Sequence, residues 1–243
     1  MAVYCFIPAR LESQRLPRKM LLAETGKPLI QHTWESVRQC KSIDELIIAT
    51  DSSEIATAAD HFGASVVMTG KHESGTSRIA EVAERLCSPG DVVVNVQGDE
   101  PQIAVTAISA LVKRMLMPDR PPMGTLGTPF QSEADVFNPA CVKVARSGNG
   151  FAVDFFRAPA RGTRSVDSSP STLRHLGVYA YSAELLAKWS ALPDSRCSVT
   201  LSLEQLRAIH AGIRIVLVEV DHGCVGIDTR EQYESFVRSI SDA

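Results

Sequence analysis

Short Val- and Ile-rich runs alternate with helix-length amphipathic segments through the first half of this chain, and that alternation leaves few folds open. Val3 to Pro8, Glu45 to Thr50, Ser65 to Met68 and Asp91 to Val96 have the length and β-branched content of strands. Leu29 to Gln39, Ser53 to Phe62 and Ser77 to Cys87, which separate them, carry apolar residues at helical spacing. A strand reaches a parallel neighbour only through a crossover long enough to hold a helix, so this order predicts βαβ units and a mainly parallel sheet. The expected fold class is α/β, a Rossmann-like, three-layer sandwich. Ligands on such sheets bind beyond the carboxyl ends of the strands, where the loops after them converge.

The pattern changes after a helix expected at Ala104 to Leu116. Beyond Pro118-Asp119-Arg120-Pro121-Pro122 come short runs separated by turn residues. Val142 to Arg146 and Phe151 to Phe156 flank Ser147-Gly148-Asn149-Gly150, a hairpin signal because Gly and Asn accept positive φ. Residues from about 123 to 181 are therefore expected to form an inserted antiparallel element within a single domain spanning 1–243. Arg161 to Ser171 reads as a mobile loop, Arg174 to Tyr181 as a strand and Ala183 to Ala191 as a helix. Leu203 to His210, Ile213 to Val220 and Arg230 to Ile240 follow as helix, strand and helix.

Composition narrows the function classes. A formal net charge of -3 argues against a general nucleic-acid binder, leaving room for a local basic site. The six cysteines are scattered without a C-x-x-C pair, as in a reducing compartment. No apolar run approaches the roughly 18 residues that span a bilayer, so the expected location is cytoplasmic, with no membrane partner.

The loop after the first strand carries Arg10, Arg15, Arg18 and Lys19. Several fixed cations at one point call for polyanionic oxygens among them, and a phosphate chain is the obvious ligand. The loop lacks the glycines of a Walker or dinucleotide loop, so side chains rather than backbone amides must carry much of the binding.

Asp91-Val92-Val93-Val94-Asn95-Val96 ends in Gln97-Gly98-Asp99-Glu100-Pro101, which brings acid to the same sheet edge. Acid beside phosphate oxygens is repulsive unless a divalent cation lies between, and hard oxygen donors suit Mg2+. Asp99 is the first metal-ligand candidate. Asp228 follows a later strand; alone it reads as a helix cap, but as a second acid beside Asp99 it would complete the metal site. Ser74-Gly75-Thr76, inside His72-Glu73-Ser74-Gly75-Thr76-Ser77-Arg78, is divided between capping the next helix and recognising base or phosphate.

Several motifs fall in order along nearly the whole chain: Ile7-Pro8-Ala9-Arg10, Arg15-Leu16-Pro17, Gly26-Lys27-Pro28-Leu29-Ile30, Ala49-Thr50-Asp51, Ser74-Gly75-Thr76, Asn95-Val96-Gln97-Gly98-Asp99-Glu100-Pro101, Arg174-His175-Leu176-Gly177, Leu203-Glu204-Gln205-Leu206-Arg207 and Asp228-Thr229. This series resembles the 3-deoxy-D-manno-octulosonate cytidylyltransferases, also called CMP-Kdo synthetases. The resemblance implies a GT-A-type nucleotidyltransferase sandwich and a homodimer built through the antiparallel element. It also implies an Mg2+-dependent enzyme that joins CTP to the acid sugar Kdo, giving CMP-Kdo and pyrophosphate for lipopolysaccharide assembly.

By the same likeness, Arg10, Arg15, Lys19 and Asp99 form the catalytic set, with Mg2+ on Asp99 and Asp228. The nucleotide falls to Arg10, Ser13, Arg15, Lys19, Ser74, Gly75, Thr76 and Arg78. The acid sugar falls to Gln97, Arg157, His175, Tyr179, Glu204 and Gln205. The chain departs from the family at Arg18 and Met20, where Gly and Pro are usual, at Phe156, and through Ser195-Arg196-Cys197-Ser198-Val199-Thr200. Those changes lie more on the sugar side, so a cytidylyltransferase for a sialic or amino-Kdo sugar is the alternative, and an inactive nucleotide-binding homologue a more distant one.

Overall fold

A computed structural model describes residues 1–157, 172–193, 203–223 and 226–241. Four strands of the first half, β1 (Val3–Ala9), β2 (Glu45–Thr50), β3 (Ser65–Met68) and β4 (Val92–Asn95), lie parallel in the order β3-β2-β1-β4. Helices α1 (Leu29–Arg38), α2 (Ser53–His61) and α3 (Gly75–Leu86) are the crossovers between them. β1 runs between β2 and β4, and Cys5, Phe6 and Ile7 are fully buried. All four residues of β4 are buried, which is why it reads as a continuous apolar run rather than an alternating one. Each such buried Val or Ile contributes roughly 1.5–3 kcal/mol.

The second half continues the same sheet. It comprises α4 (Val105–Met115), β5 (Met123–Thr128), α5 (Glu133–Phe137), β6 (Lys143–Arg146), β7 (Phe151–Phe156), β8 (Thr172–Ser182), α6 (Ala183–Leu186), α7 (Leu206–His210), β9 (Ile215–Glu219) and α8 (Arg230–Ser241). β8 lies antiparallel between β4 and β5, and β9 is parallel to β5. The β6–β7 hairpin forms where Ser147 to Gly150 predicts it; β7 pairs with β9 and β6 returns to β8. The pairings β8-β5-β9-β7-β6-β8 thus close on themselves at the end of a mixed nine-stranded sheet.

Two expectations need correcting. Residues 123–181 do not form an element apart from the parallel sheet, because β5 and β8 are interior strands of it. β5 is not named as a strand in the sequence reading: Met123-Gly124-Thr125-Leu126-Gly127-Thr128 shows no alternating pattern, yet all six residues are buried. A Cβ at Gly124 would lie 3.0 Å from both Leu111 and Met115, so this glycine lets α4 approach the strand. The segment Ala183 to Ala191, expected as one helix, divides into α6 and a 3-10 turn at Trp189–Ala191. Arg161 to Ser171 and Ser195 to Thr200 lie outside the described residues. Among the described residues no helix is long and apolar enough to cross a membrane.

Candidate active site

At the carboxyl ends of β1 and β4 a cleft of about 220 Å3 opens. Arg10, Ser13 and Lys19 line it from the loop after β1, Gln97 and Asp99 from the loop after β4, Ser74, Gly75 and Arg78 from the start of α3, and Asp228 from the segment before α8. The loop after β4 is fixed from below, since the Thr33 hydroxyl on α1 donates to Gly98 O at 2.9 Å. Asp228 reaches the same point because Ile227 N donates to Asp99 O at 2.9 Å, docking the C-terminal segment on that loop.

Lys19 is the centre of this arrangement. Its buried ammonium ion-pairs with Asp99 Oδ2, lies 3.0 Å from Asp228 Oδ1, and donates to Ile227 O at 3.1 Å. Arg15 binds the other oxygen, Asp228 Oδ2, at 2.8 Å, and reaches the cleft only through that carboxylate. Two carboxylates and two cations therefore alternate across the cleft floor. Both carboxylates converge on one ammonium and offer hard oxygens, a donor set that by its chemistry also suits Mg2+. Among the described residues no group of three His, Cys, Asp or Glu comes together, so two protein carboxylates with water or ligand oxygens are what such an ion would find.

Asp228 is free for this role because the helix cap is its neighbour. Gln232 N donates to Thr229 Oγ1 at 3.3 Å and Thr229 N to Gln232 Oε1 at 3.0 Å, a reciprocal capping box that starts α8 without Asp228. The Thr229-x-x-Gln232 spacing carries that signal in the sequence, and with it the capping reading of Asp228 falls away.

Arg18 departs from the expected cation cluster. Its φ of 54° lies in the left-handed region, and its guanidinium pairs with Glu54 on α2 rather than lining the cleft. A usual Gly there fits this backbone, which L side chains rarely adopt. Met20 has its sulfur 3.0 Å from where a Cβ on Gly98 would stand, so it packs beneath the acidic loop.

Arg78 is buried and committed, 3.1 Å from Asp51 and donating to the Thr69 hydroxyl at 2.6 Å. It fastens the ends of β2 and β3 to α3 at the wall of the cleft. Ser74 does cap α3, accepting from Ser77 N at 3.1 Å. Gly75 allows the helix start to press on β1, for a Cβ there would meet Pro8 at 3.2 Å.

A second cavity of about 100 Å3 adjoins the first, and Gly75 and Gln97 line both. Tyr179, Glu204 and Gln205 are present as expected; Thr76, expected on the nucleotide, faces this cavity instead. Tyr181 and Trp189 complete it, and neither is among the site residues expected from the sequence. Tyr181 stands two residues from Tyr179, the same-face spacing of a strand, so its position was legible. Burial raises the pKa of both phenols, Tyr179 well above its ordinary value, which keeps them as neutral hydroxyl donors.

His175 and Arg157 do not line either cavity. His175 sits in an aromatic row behind the second one, 5.0 Å from the Phe155 ring and 5.3 Å from Tyr179, with Nε2 3.0 Å from the Thr125 hydroxyl. Desolvation in this row pushes its pKa down to about 3, so it is a neutral, half-buried imidazole. Arg157 donates to Pro139 O at 3.0 Å, beside the β6–β7 hairpin.

Comparison with known proteins matches residues 4–215 to the family described as Cytidylyltransferase. The 3-deoxy-manno-octulosonate cytidylyltransferase of Syntrophobacter fumaroxidans is 42% identical, over 98% of this chain and 96% of that protein. Its counterpart from Thermodesulfovibrio yellowstonii is 38% identical, over 96% of each. Among solved structures, CMP:2-keto-3-deoxy-manno-octonic acid synthetase complexed with CTP superposes with a TM-score of 0.91 at 35% identity, over 100% of this chain and 99% of that one.

Proposed function

From the premise that the chain belongs to the cytidylyltransferase family, and within it to the 3-deoxy-manno-octulosonate cytidylyltransferases, we propose that the charged cleft takes CTP and the adjoining cavity takes Kdo. The reaction gives CMP-Kdo and pyrophosphate: the sugar C2 oxygen bonds to the α-phosphorus as the bond to the β-phosphate breaks. One observation carries the reading. Lys19, Asp99 and Asp228 meet in a cleft that shares Gln97 and Gly75 with a cavity of hydroxyl and carboxyl groups. The two substrates then meet at Gln97, where the reacting atoms must lie.

Arg10, Ser13 and Lys19 hold the triphosphate, and Lys19 offsets the charge that grows on the departing pyrophosphate. Arg15 keeps Asp228 oriented through its ion pair. Asp99 and Asp228 would hold Mg2+, which would supply charge stabilisation for the triphosphate. Positioning and electrostatics do the rest, as in other phosphoryl transfers. In the second cavity Tyr179, Glu204 and Gln205 offer the polar partners that a polyhydroxylated acid requires.

The reading extends to a GT-A-type sandwich and to a homodimer through the β6–β7 end of the sheet, where the exposed side chains of Phe137 and Val153 favour cover by a second copy. It also puts the enzyme in the cytoplasm, beside its nucleotide supply. Pyrophosphate release with CTP, Mg2+ and a panel of acid sugars tests the assignment. Turnover with Kdo is expected; turnover only with a sialic or amino-Kdo sugar would move the specificity, and none with any sugar would favour an inactive homologue.

A further inference from the structure

Trp189 has no part in the reaction as derived so far, yet it is fully buried in the protein and forms part of the second cavity's wall. A buried indole N–H needs an acceptor, and here the acceptor is a carboxylate: Nε1 donates to Glu204 Oε1 at 3.1 Å. The same oxygen accepts from the Ser74 hydroxyl at 2.7 Å. Both bonds fall on Oε1, so the rotation of the carboxylate is fixed from two directions and Oε2 carries neither bond. The backbone around Trp189 is tied to the helix beside Glu204, because Arg207 donates to Trp189 O at 3.4 Å and also to Leu192 O. Tyr181 packs edge-on against the indole at 5.6 Å, which removes its freedom to tilt.

We propose that Trp189 is a positioning residue for acid-sugar recognition: with Ser74 it locks one oxygen of Glu204 so that the other accepts a sugar hydroxyl. This rests on the assignment of the second cavity to the sugar. A carboxylate acceptor attracts hydroxyls and repels the sugar's own carboxylate, so Glu204 selects the polyol part of the ligand and sets which way round it enters.

Trp189→Phe keeps the aromatic packing and deletes the N–H. At saturating CTP it raises the KM for Kdo about tenfold, the scale of a lost hydrogen bond to a charged group, while the KM for CTP stays within about twofold. Trp189→His, which retains a ring N–H, recovers part of the loss. An unchanged KM for Kdo, or a KM for CTP rising in step with it, overturns the proposal. A second measurement leaves Trp189 in place: Trp34→Phe makes Trp189 the sole tryptophan, since the chain has 2, and Kdo added to the CTP-bound enzyme shifts its emission. No shift at saturating Kdo contradicts the proposal. If the wild-type enzyme turns over another acid sugar and not Kdo, the substrate assignment fails instead, and the same variants are read against that sugar.

Discussion

The two cavities share Gly75 and Gln97 but are made of different materials. The cleft is assembled from loop residues at strand ends, and its chemistry is charge: Lys19 between Asp99 and Asp228, with Arg15 outside them. The second cavity is assembled from the interior of β8 and the turn after α6, and its chemistry is aromatic, with Tyr179, Tyr181 and Trp189 around Glu204. Two of the aromatic wall residues, Tyr181 and Trp189, are also core residues, so large truncations on that side bear on stability as well as on binding.

The largest effect that would break this contrast is on the charged side. Asp99→Asn exchanges one oxygen for an amide at nearly constant volume, so turnover falls by roughly a thousandfold while the thermal midpoint barely moves. Near-normal pyrophosphate release with Mg2+ would remove Asp99 from the metal site.

On the aromatic side the expected signature is stability against pH. The folded-state pKa of His175 is depressed to about 3 by burial, against an ordinary value of about 6.5. Below pH 6.5 the unfolded chain takes up a proton that the folded chain refuses, so this contribution is complete above that pH and is lost progressively between about 6.5 and about 3. Thermal melts from pH 7.5 down to 4.5 should fall in midpoint, and His175→Gln should flatten the slope. An equally steep slope in the variant would place the titrating group elsewhere.

The smallest effect sharpens the charged side. Thr229→Ala removes the cap of α8 and costs about 1 kcal/mol of stability. Because Asp228 N also donates to Gln232 at 2.8 Å, loss of the box loosens Asp228 as well, and the rate should fall by a fewfold at most. A loss as large as that of Asp99→Asn would mean that Asp228 depends on the cap more than on Lys19.

What the sequence disclosed follows the same division. β2 and β3 have the predicted bounds, because β-branched runs between helix-length segments report parallel strands directly. Lys19, Asp99 and Asp228 stood out as charges beside apolar runs. β5 did not, since Gly124 is there for the approach of α4 and Gly127 for that of Leu173 and Leu217, and neither leaves a periodic pattern. Arg18 counted as one more cation until its left-handed backbone turned it toward Glu54. Trp189 carries no local signal of its own; its meaning depends on Glu204, 15 positions away. His175 shows the reverse, a motif residue held in the aromatic row with Phe155 and Tyr179 rather than on the cavity wall.

The central claim is the division of labour between the cleft and the cavity, and Lys19→Ala tests it most directly. With CTP and Kdo varied independently, the variant is predicted to lose about a hundredfold in kcat while the KM for Kdo stays within twofold of wild type. A KM for Kdo that rises while kcat and the KM for CTP hold would put Lys19 on the sugar and contradict the account.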